Sequence, residues 1–461
     1  MRVFTVFHEV RRGPTRAPID PVATSIHGLG RAALLFLSAS ATMLAAGGGG
    51  VGCAAPPTAV DTRDRAGDGA DEGDEQKEGL GGDDSTPGDD STPGDDDPAT
   101  TTETGQLALV VIDVQNTFVS TASRRNPGAK IADVVARTGR LLTIATQKKI
   151  PTFVTYEASK TGDHALAPSL VPLLPPQQKE FIKTTFAATG QPQFLPAIKA
   201  SGAKRLVVVG AETEVCVMQT MLGLRRAGYS VLAVTDDIFT EEVNVAPAQR
   251  RMKQAGIVPI KSSAAETLLD SSGPSTAATV KAPPVIARPL EMGFVLHDVA
   301  GLDAADPASS QKLARLKELL YVSEWFQRPV YAENPQAATA ALPANLRTIL
   351  KKAVKPLSSK PANITQLAVA GGRNGVATLA ATLAKTSEVF LPTDALMGTT
   401  DLESVFAGGA VSTTYKSLYY ELMQSVDDRQ WPSPQWVTNS NPYYDLTQAP
   451  EELPQLAPSG S

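Results

Sequence analysis

The chain has 461 residues, 42% of them hydrophobic and 20% charged, with a net charge of −6; at roughly 150 residues per domain, that length predicts about three units. The charge is uneven, since residues 61–104 hold 16 acidic side chains against Arg63, Arg65 and Lys77; the rest is about neutral and offers no basic stripe to a nucleic acid. Two cysteines, Cys53 and Cys216, and four histidines, His8, His27, His164 and His297, cannot assemble a Cys/His zinc site of the usual spacing, so no metal and no cofactor is expected.

Residues 1–53 read as an export signal: Arg11, Arg12, Arg16 and Arg31 precede a small-residue apolar run at 32–46 that is too short to span a bilayer. The run leads into Gly49-Gly50-Val51-Gly52-Cys53, which resembles a bacterial lipoprotein signal with Cys53 as the lipidated mature N-terminus. An ordinary signal peptide cut nearby is the alternative. The expectation is an exported lipoprotein of the cell envelope, held at the outer membrane or periplasmic face by its lipid alone. Residues 54–104 contain GDDSTP-GDDSTP-GDDDP, a low-complexity acidic Gly/Asp/Pro linker with too little apolar surface to offset the entropy of ordering.

From residue 107 apolar runs alternate with helical periodicity. Strands are predicted at 108–112, 152–155, 206–210, 231–235 and 257–260, and helices at 131–145, 215–227 and 246–255, the last two ended by Gly228 and Gly256. This alternation predicts a parallel sheet covered by helices on both faces, with ligands at the carboxyl ends of its strands. Residues 105–270 form this unit, and the Ser/Pro/Ala-rich stretch 271–289 reads as a linker. The order then returns over 290–445, with strands at 294–296, 329–331, 367–371 and 389–391 and helices at 311–326 and 376–384, before a tail at 446–461. The pattern reads as an internal duplication.

Three residues stand where chemistry is done. Cys216 lies shortly after a strand, with Thr213 a good N-cap, so it falls in a first helical turn whose free N–H groups favour a thiolate. A lone cysteine is as often a small buried hydrophobe. Asp113 ends the first strand behind a run of apolar residues, where a carboxylate needs a cationic partner, and Lys183 in FIKTTF is the candidate. Taken singly, each reads more simply as a surface or capping residue.

Together, Asp113 in DVQNTF, Lys183 in IKTTF and Cys216 in VVVGAETEVCVMQT resemble the Asp-Lys-Cys triad of the isochorismatase-like cysteine hydrolases, over residues 105–270. The resemblance implies a three-layer α/β/α domain with a six-stranded parallel sheet, here duplicated. It implies hydrolysis of a C–N bond in a small amide or carbamoyl compound through a thioester on Cys216. The backbone N–H groups of Val215 and Cys216 would meet the oxyanion, Gln115, Phe118 and Thr213 would bind substrate, and a cis peptide would join Ala211 to Glu212. Metal-dependent nicotinamidases of this superfamily carry an Asp-x-His motif after the second strand. Here Tyr156-Glu157-Ala158-Ser159 stands there, with only His164 nearby, which disfavours such a metal site.

In the second half, Asp298, Lys355 and Ala377 align with Asp113, Lys183 and Cys216, so the nucleophile is missing. Because family members commonly oligomerise, this degenerate copy is expected to serve as an intramolecular pseudo-dimer partner, with further homo-oligomerisation left open. Two other readings remain at this stage: a non-catalytic envelope ligand-binding pseudo-dimer, and a Cys-independent vinyl ether hydrolase of the isochorismatase kind.

Overall fold

The computed structural model describes residues 102–103, 106–158, 164–242, 244–271, 275–276, 283–300, 302, 307–398 and 401–425. The export signal with Cys53, nearly all of the acidic linker and the tail 446–461 lie outside them. Among the described residues no helix is long and apolar enough to cross a membrane.

The first half is built from β1 (Gln106–Ile112), α1 (Asn116–Arg125), α2 (Ile131–Gln147), β2 (Thr152–Glu157), β3 (Lys179–Lys183), α3 (Phe194–Ala200), β4 (Ala203–Ala211), α4 (Met218–Arg226), β5 (Ser230–Phe239), α5 (Ala246–Gln254), β6 (Val258–Ile260) and α6 (Ser262–Ser271). Its six strands run parallel in the order β3-β2-β1-β4-β5-β6. The apolar sequence of β1 suits a central strand buried on both faces. Leu107, Leu109 and Val111 join the core under α1, α2 and α6, whereas Ala108, Val110 and Ile112 join the core under α3, α4 and α5.

The second half repeats the order. It comprises β7 (Met292–His297), α7 (Pro307–Trp325), β8 (Val330–Ala332), α8 (Pro335–Ala341), α9 (Ala344–Arg347), β9 (Lys355–Pro356), β10 (Gln366–Gly372), α10 (Val376–Leu383), β11 (Glu388–Pro392), β12 (Leu396–Met397), α11 (Glu403–Ala407), β13 (Val411–Thr413) and α12 (Tyr415–Met423). Its parallel sheet reads β9-β8-β7-β10-β11-β13, with β12 beside β10. The backbones agree in detail. Asp113 and Asp298, after the first strand of each half, have φ of 50° and 45°, and Gly210 and Gly371 have φ of 128° and 123°. Both glycines are required by close approach: a Cβ would lie 1.9 Å from the Ile112 carbonyl oxygen at Gly210 and 2.1 Å from that of His297 at Gly371.

One apolar core runs through both halves, joining the α4/α5 face of the first sheet to Met292, Phe294 and Leu296 of β7 and to α7 and α12. At its edge the buried Arg251 pairs with Glu421 of α12 and donates to Val285 O at 2.8 Å, while the Ala287 N–H donates to Glu421 at 2.8 Å. The described end of the expected linker, residues 283–289, is therefore pinned between the halves. The strands Thr102–Glu103 and Ser275–Thr276 also pair, antiparallel.

Candidate active site

The carboxyl ends of β1, β2 and β3 meet the turn after β4. Asp113, immediately after β1, accepts a 2.7 Å hydrogen bond from the Thr155 hydroxyl on one carboxylate oxygen and pairs with Lys183 Nζ at 2.7 Å on the other. Lys183 is the last residue of β3 and, like Asp113, has no solvent-exposed side-chain area. An ion pair this deeply buried holds only because each charge is met directly. The Lys183 ammonium also lies 3.4 Å from Cys216 Sγ, so the residues aligned with the family's triad do converge.

The segment carrying the cysteine departs from the expected helix. Thr213 is not its N-cap. Thr213–Val217 forms one π-helical turn, preceded by Glu212 and continued by α4, and Cys216 is buried within that turn. The peptide between Ala211 and Glu212 is cis. The Val215 N–H donates to the Glu212 carbonyl at 3.1 Å, so this amide, expected at the oxyanion, is spent within the turn.

Glu157 is the residue that sequence reasoning passed over. It ends β2, is half-buried, and accepts from the Cys216 thiol at 3.3 Å. Gln115, expected to bind substrate, braces Glu157: its Nε2 donates to Glu157 O at 3.2 Å and its Oε1 accepts from Glu157 N at 2.7 Å. Phe118 packs half-buried against the α2 side of the core. Thr213 lines a separate cavity of about 260 Å³ whose walls include Arg137, Asp236 and Glu242 but none of Asp113, Lys183 and Cys216. His164 Nδ1 lies 3.3 Å from the Glu157 carbonyl oxygen.

Ligand atoms of Asp113, Glu157 and Cys216 fall within 4.8 Å of one another, a spacing at which such groups can share a metal ion. The Lys183 ammonium already lies against two of them and supplies the positive charge an ion would bring. Burial pushes the Cys216 thiol well above its usual range; Lys183 opposes this, while Asp113 and Glu157 add to it. Burial thus opposes the thiolate that the helix position favours. Burial likewise raises the Glu157 carboxyl, against the pull of Lys183. Burial works to lower Lys183, but Asp113, Cys216 and Glu157 outweigh it and hold the amine above its ordinary value.

The second half supports this turn from behind. Every residue of α12 is buried. Its Ser417 hydroxyl donates to Glu214 O at 3.1 Å, and Lys416 Nζ lies 3.0 Å from Glu214, 3.4 Å from Glu212 and 3.5 Å from Glu241. Just past α12, Gln424 O accepts from Phe186 N at 3.1 Å and the Ser425 hydroxyl donates to Thr184 O at 2.7 Å, which fixes the segment following Lys183. The residues aligned from sequence do not assemble a site in the second half: Asp298 and Lys355 are exposed and Ala377 is half-buried, and the register corrects the alignment of Lys355, which pairs with Tyr331 beside Val295 as Lys179, not Lys183, pairs with Phe153 beside Val110.

The isochorismatase domain model matches residues 107–263. The probable hydrolase YcaC of Escherichia coli (strain K12) is 28% identical over 167 residues, covering 34% of this chain and 75% of that one. Among solved structures, the MAR1 ribonuclease of Caenorhabditis elegans is 28% identical over 38% of this chain and 85% of that one, with a TM-score of 0.33. The E. coli YcaC gene product, described as an octameric hydrolase of unknown specificity, is 27% identical over 35% and 78%, with a TM-score of 0.29. Residues 107–263 are thus an isochorismatase-family domain with hydrolase relatives.

Proposed function

We propose that this protein is a cysteine hydrolase that cleaves a C–N bond in a small amide or carbamoyl compound. The observation that carries this reading is the Lys183 ammonium, buried between the Asp113 carboxylate and the Cys216 sulfur at 2.7 and 3.4 Å. A cation so placed favours the thiolate over the thiol whenever the sulfur loses its proton, and a thiolate is the form that attacks a carbonyl. Cys216 attacks, a backbone N–H of its own turn steadies the oxyanion, a carboxylate takes the thiol proton and returns it to the leaving amine, and water hydrolyses the thioester. The family resemblance gives the proton transfers to Asp113.

The second half is, in this reading, a degenerate copy kept as a packing partner. The repeated strand order and the matching backbones at Asp113 and Asp298 and at Gly210 and Gly371 support it. The basic and apolar stretches ahead of Cys53 support export and lipid anchoring. A panel of small amides and carbamoyl compounds, assayed with the full chain and with Cys216→Ala, tests the activity. Turnover of at least one compound that vanishes in Cys216→Ala is expected; turnover that survives the substitution would point to Cys-independent hydrolysis.

A further inference from the structure

The last helix of each half follows the last strand of its sheet and opens by giving a backbone N–H to an aspartate: Ser262 N–H to Asp236 at 2.8 Å, and Tyr415 N–H to Asp394 at 3.1 Å. From there the two helices diverge. α6 buries three of its ten residues, Ser262, Ala265 and Leu269, whereas all nine residues of α12 are buried. What α12 meets is the turn that carries Cys216. Lys416 Nζ lies 3.0 to 3.8 Å from four carboxylates: Glu212 just before the turn, Glu214 inside it, and Glu241 and Glu242 after β5. Glu214 also accepts from the Thr240 hydroxyl at 2.9 Å, and its carbonyl accepts from the Ser417 hydroxyl at 3.1 Å. The other charged groups facing this cluster are Arg125, which pairs with Glu241 at 3.1 Å, and Arg315 and Asp394, which line one small chamber with Glu214 and Glu242.

Packing alone does not call for such a cluster, since well-fitted apolar side chains would hold the two halves at least as firmly. Charged contacts add direction: they fix Glu212 and Glu214 on either side of Thr213, and with them the sulfur two residues further on. We propose that Lys416 and Ser417, supplied by the second half, are positioning residues for the Cys216 nucleophile, so that the active site of the first half is incomplete without α12. The inference rests on the cysteine hydrolase reading and gives the second copy a task within it. Both residues act through the turn, holding Cys216 Sγ where it stands 3.4 Å from Lys183 Nζ. The end of the same helix secures the opposite flank, because the Ser425 hydroxyl donates to Thr184 O at 2.7 Å directly after Lys183. A displacement of about 1 Å between reacting groups is enough to cost about 10²-fold in rate.

The test is the rate at which p-nitrophenyl acetate acylates Cys216 in the full chain, followed by intact mass over a range of pH and expressed per folded molecule. In Lys416→Met the limiting rate at high pH is expected to fall about 10²-fold, with the pH midpoint of the reaction unchanged. A midpoint that moves up while the limiting rate holds would mean that the Lys416 charge acts on the sulfur directly, and would overturn the positioning role. Glu421→Gln is the control on the same helix. It weakens the separate pair with Arg251, and should lower the melting temperature without slowing acylation. If Lys416→Met does not fold, Ser417→Ala carries the test: it keeps every charge, and loss of its bond to Glu214 O should slow acylation about 5-fold. A wild-type rate in Lys416→Met, or in Ser417→Ala where that variant carries the test, overturns the proposal and leaves the hydrolase reading intact. Equal slowing in Glu421→Gln does the same, because α12 would then act by general packing. A wild-type Cys216 that stays unacylated at every pH overturns the hydrolase reading as well.

Discussion

Two strand ends, one in each half, share a backbone and differ in everything that reacts. Asp113 and Asp298 follow equivalent strands with nearly the same left-handed φ, yet Asp113 is buried against Lys183 and Asp298 faces solvent. Lys183 has no exposed side-chain area, whereas Lys355 lies on the surface. Fold conservation is enforced by the sheet: a glycine pressed on a carbonyl oxygen cannot change in either half. The charges are kept only where each supports another. A buried ion pair costs desolvation unless each charge is met directly, as at Asp113 and Lys183.

That contrast is broken most severely at the nucleophile. Cys216→Ala should abolish turnover, and Ala377→Cys in the same background should restore none, because the aligned Asp298 is exposed and not buried against a lysine. Detectable rescue would show that the second half still holds a working site. Next in size is the lysine pair. Lys183→Met leaves the buried Asp113 without its counter-charge, a change expected to cost about 3 to 5 kcal/mol in a denaturant melt. Lys355→Met, at an exposed position, should stay within about 0.5 kcal/mol. Comparable losses at both would mean that Lys355 is buried and paired in solution.

A smaller effect belongs to Asp394 of the second half, which accepts from the Tyr415 N–H at the start of α12 and is pushed by burial to about 7, Arg315 opposing. An acid with a raised folded-state pKa keeps its proton in the native state after the unfolded chain has lost it. Its contribution is therefore fully present below pH 4 or so and is lost as pH rises through the folded value. Asp394→Asn preserves the acceptor and removes the titration. Stability should be little changed at pH 4 and higher than wild type at pH 8, by on the order of a few kcal/mol. Parallel melting curves for the two proteins at both pH values would remove Asp394 from the account.

Much of this was legible in the sequence for one reason: central strands are apolar throughout and stand out against amphipathic helices. In the first sheet, the strand that escaped is β3. Its KEFIK sequence exposes Lys179, Glu180 and Ile182 and buries Phe181 and Lys183, the signature of an edge strand with too little apolar content to be conspicuous. β5 was truncated in the prediction because Asp236 and Asp237 interrupt its apolar run, although the strand continues to Phe239. At the site, the three residues matching a motif converge, since their spacing is set by strand ends. The signal available for Glu157 was its place at the end of β2, beside Asp113. Lys416 gave no signal, because its partners lie about 175 to 200 positions earlier in the chain and only the packing of the halves brings them together.

The most direct measurement is the intact mass of the full chain, acid-quenched during exposure to an activated acyl donor such as p-nitrophenyl acetate. A single acetyl group mapping to Cys216 is expected, absent in Cys216→Ala and strongly reduced in Lys183→Met, with nothing attached to the second half. An unmodified Cys216 in a chain that turns over its substrate, or an acyl group carried by residues 290–425, would contradict one active and one inactive copy.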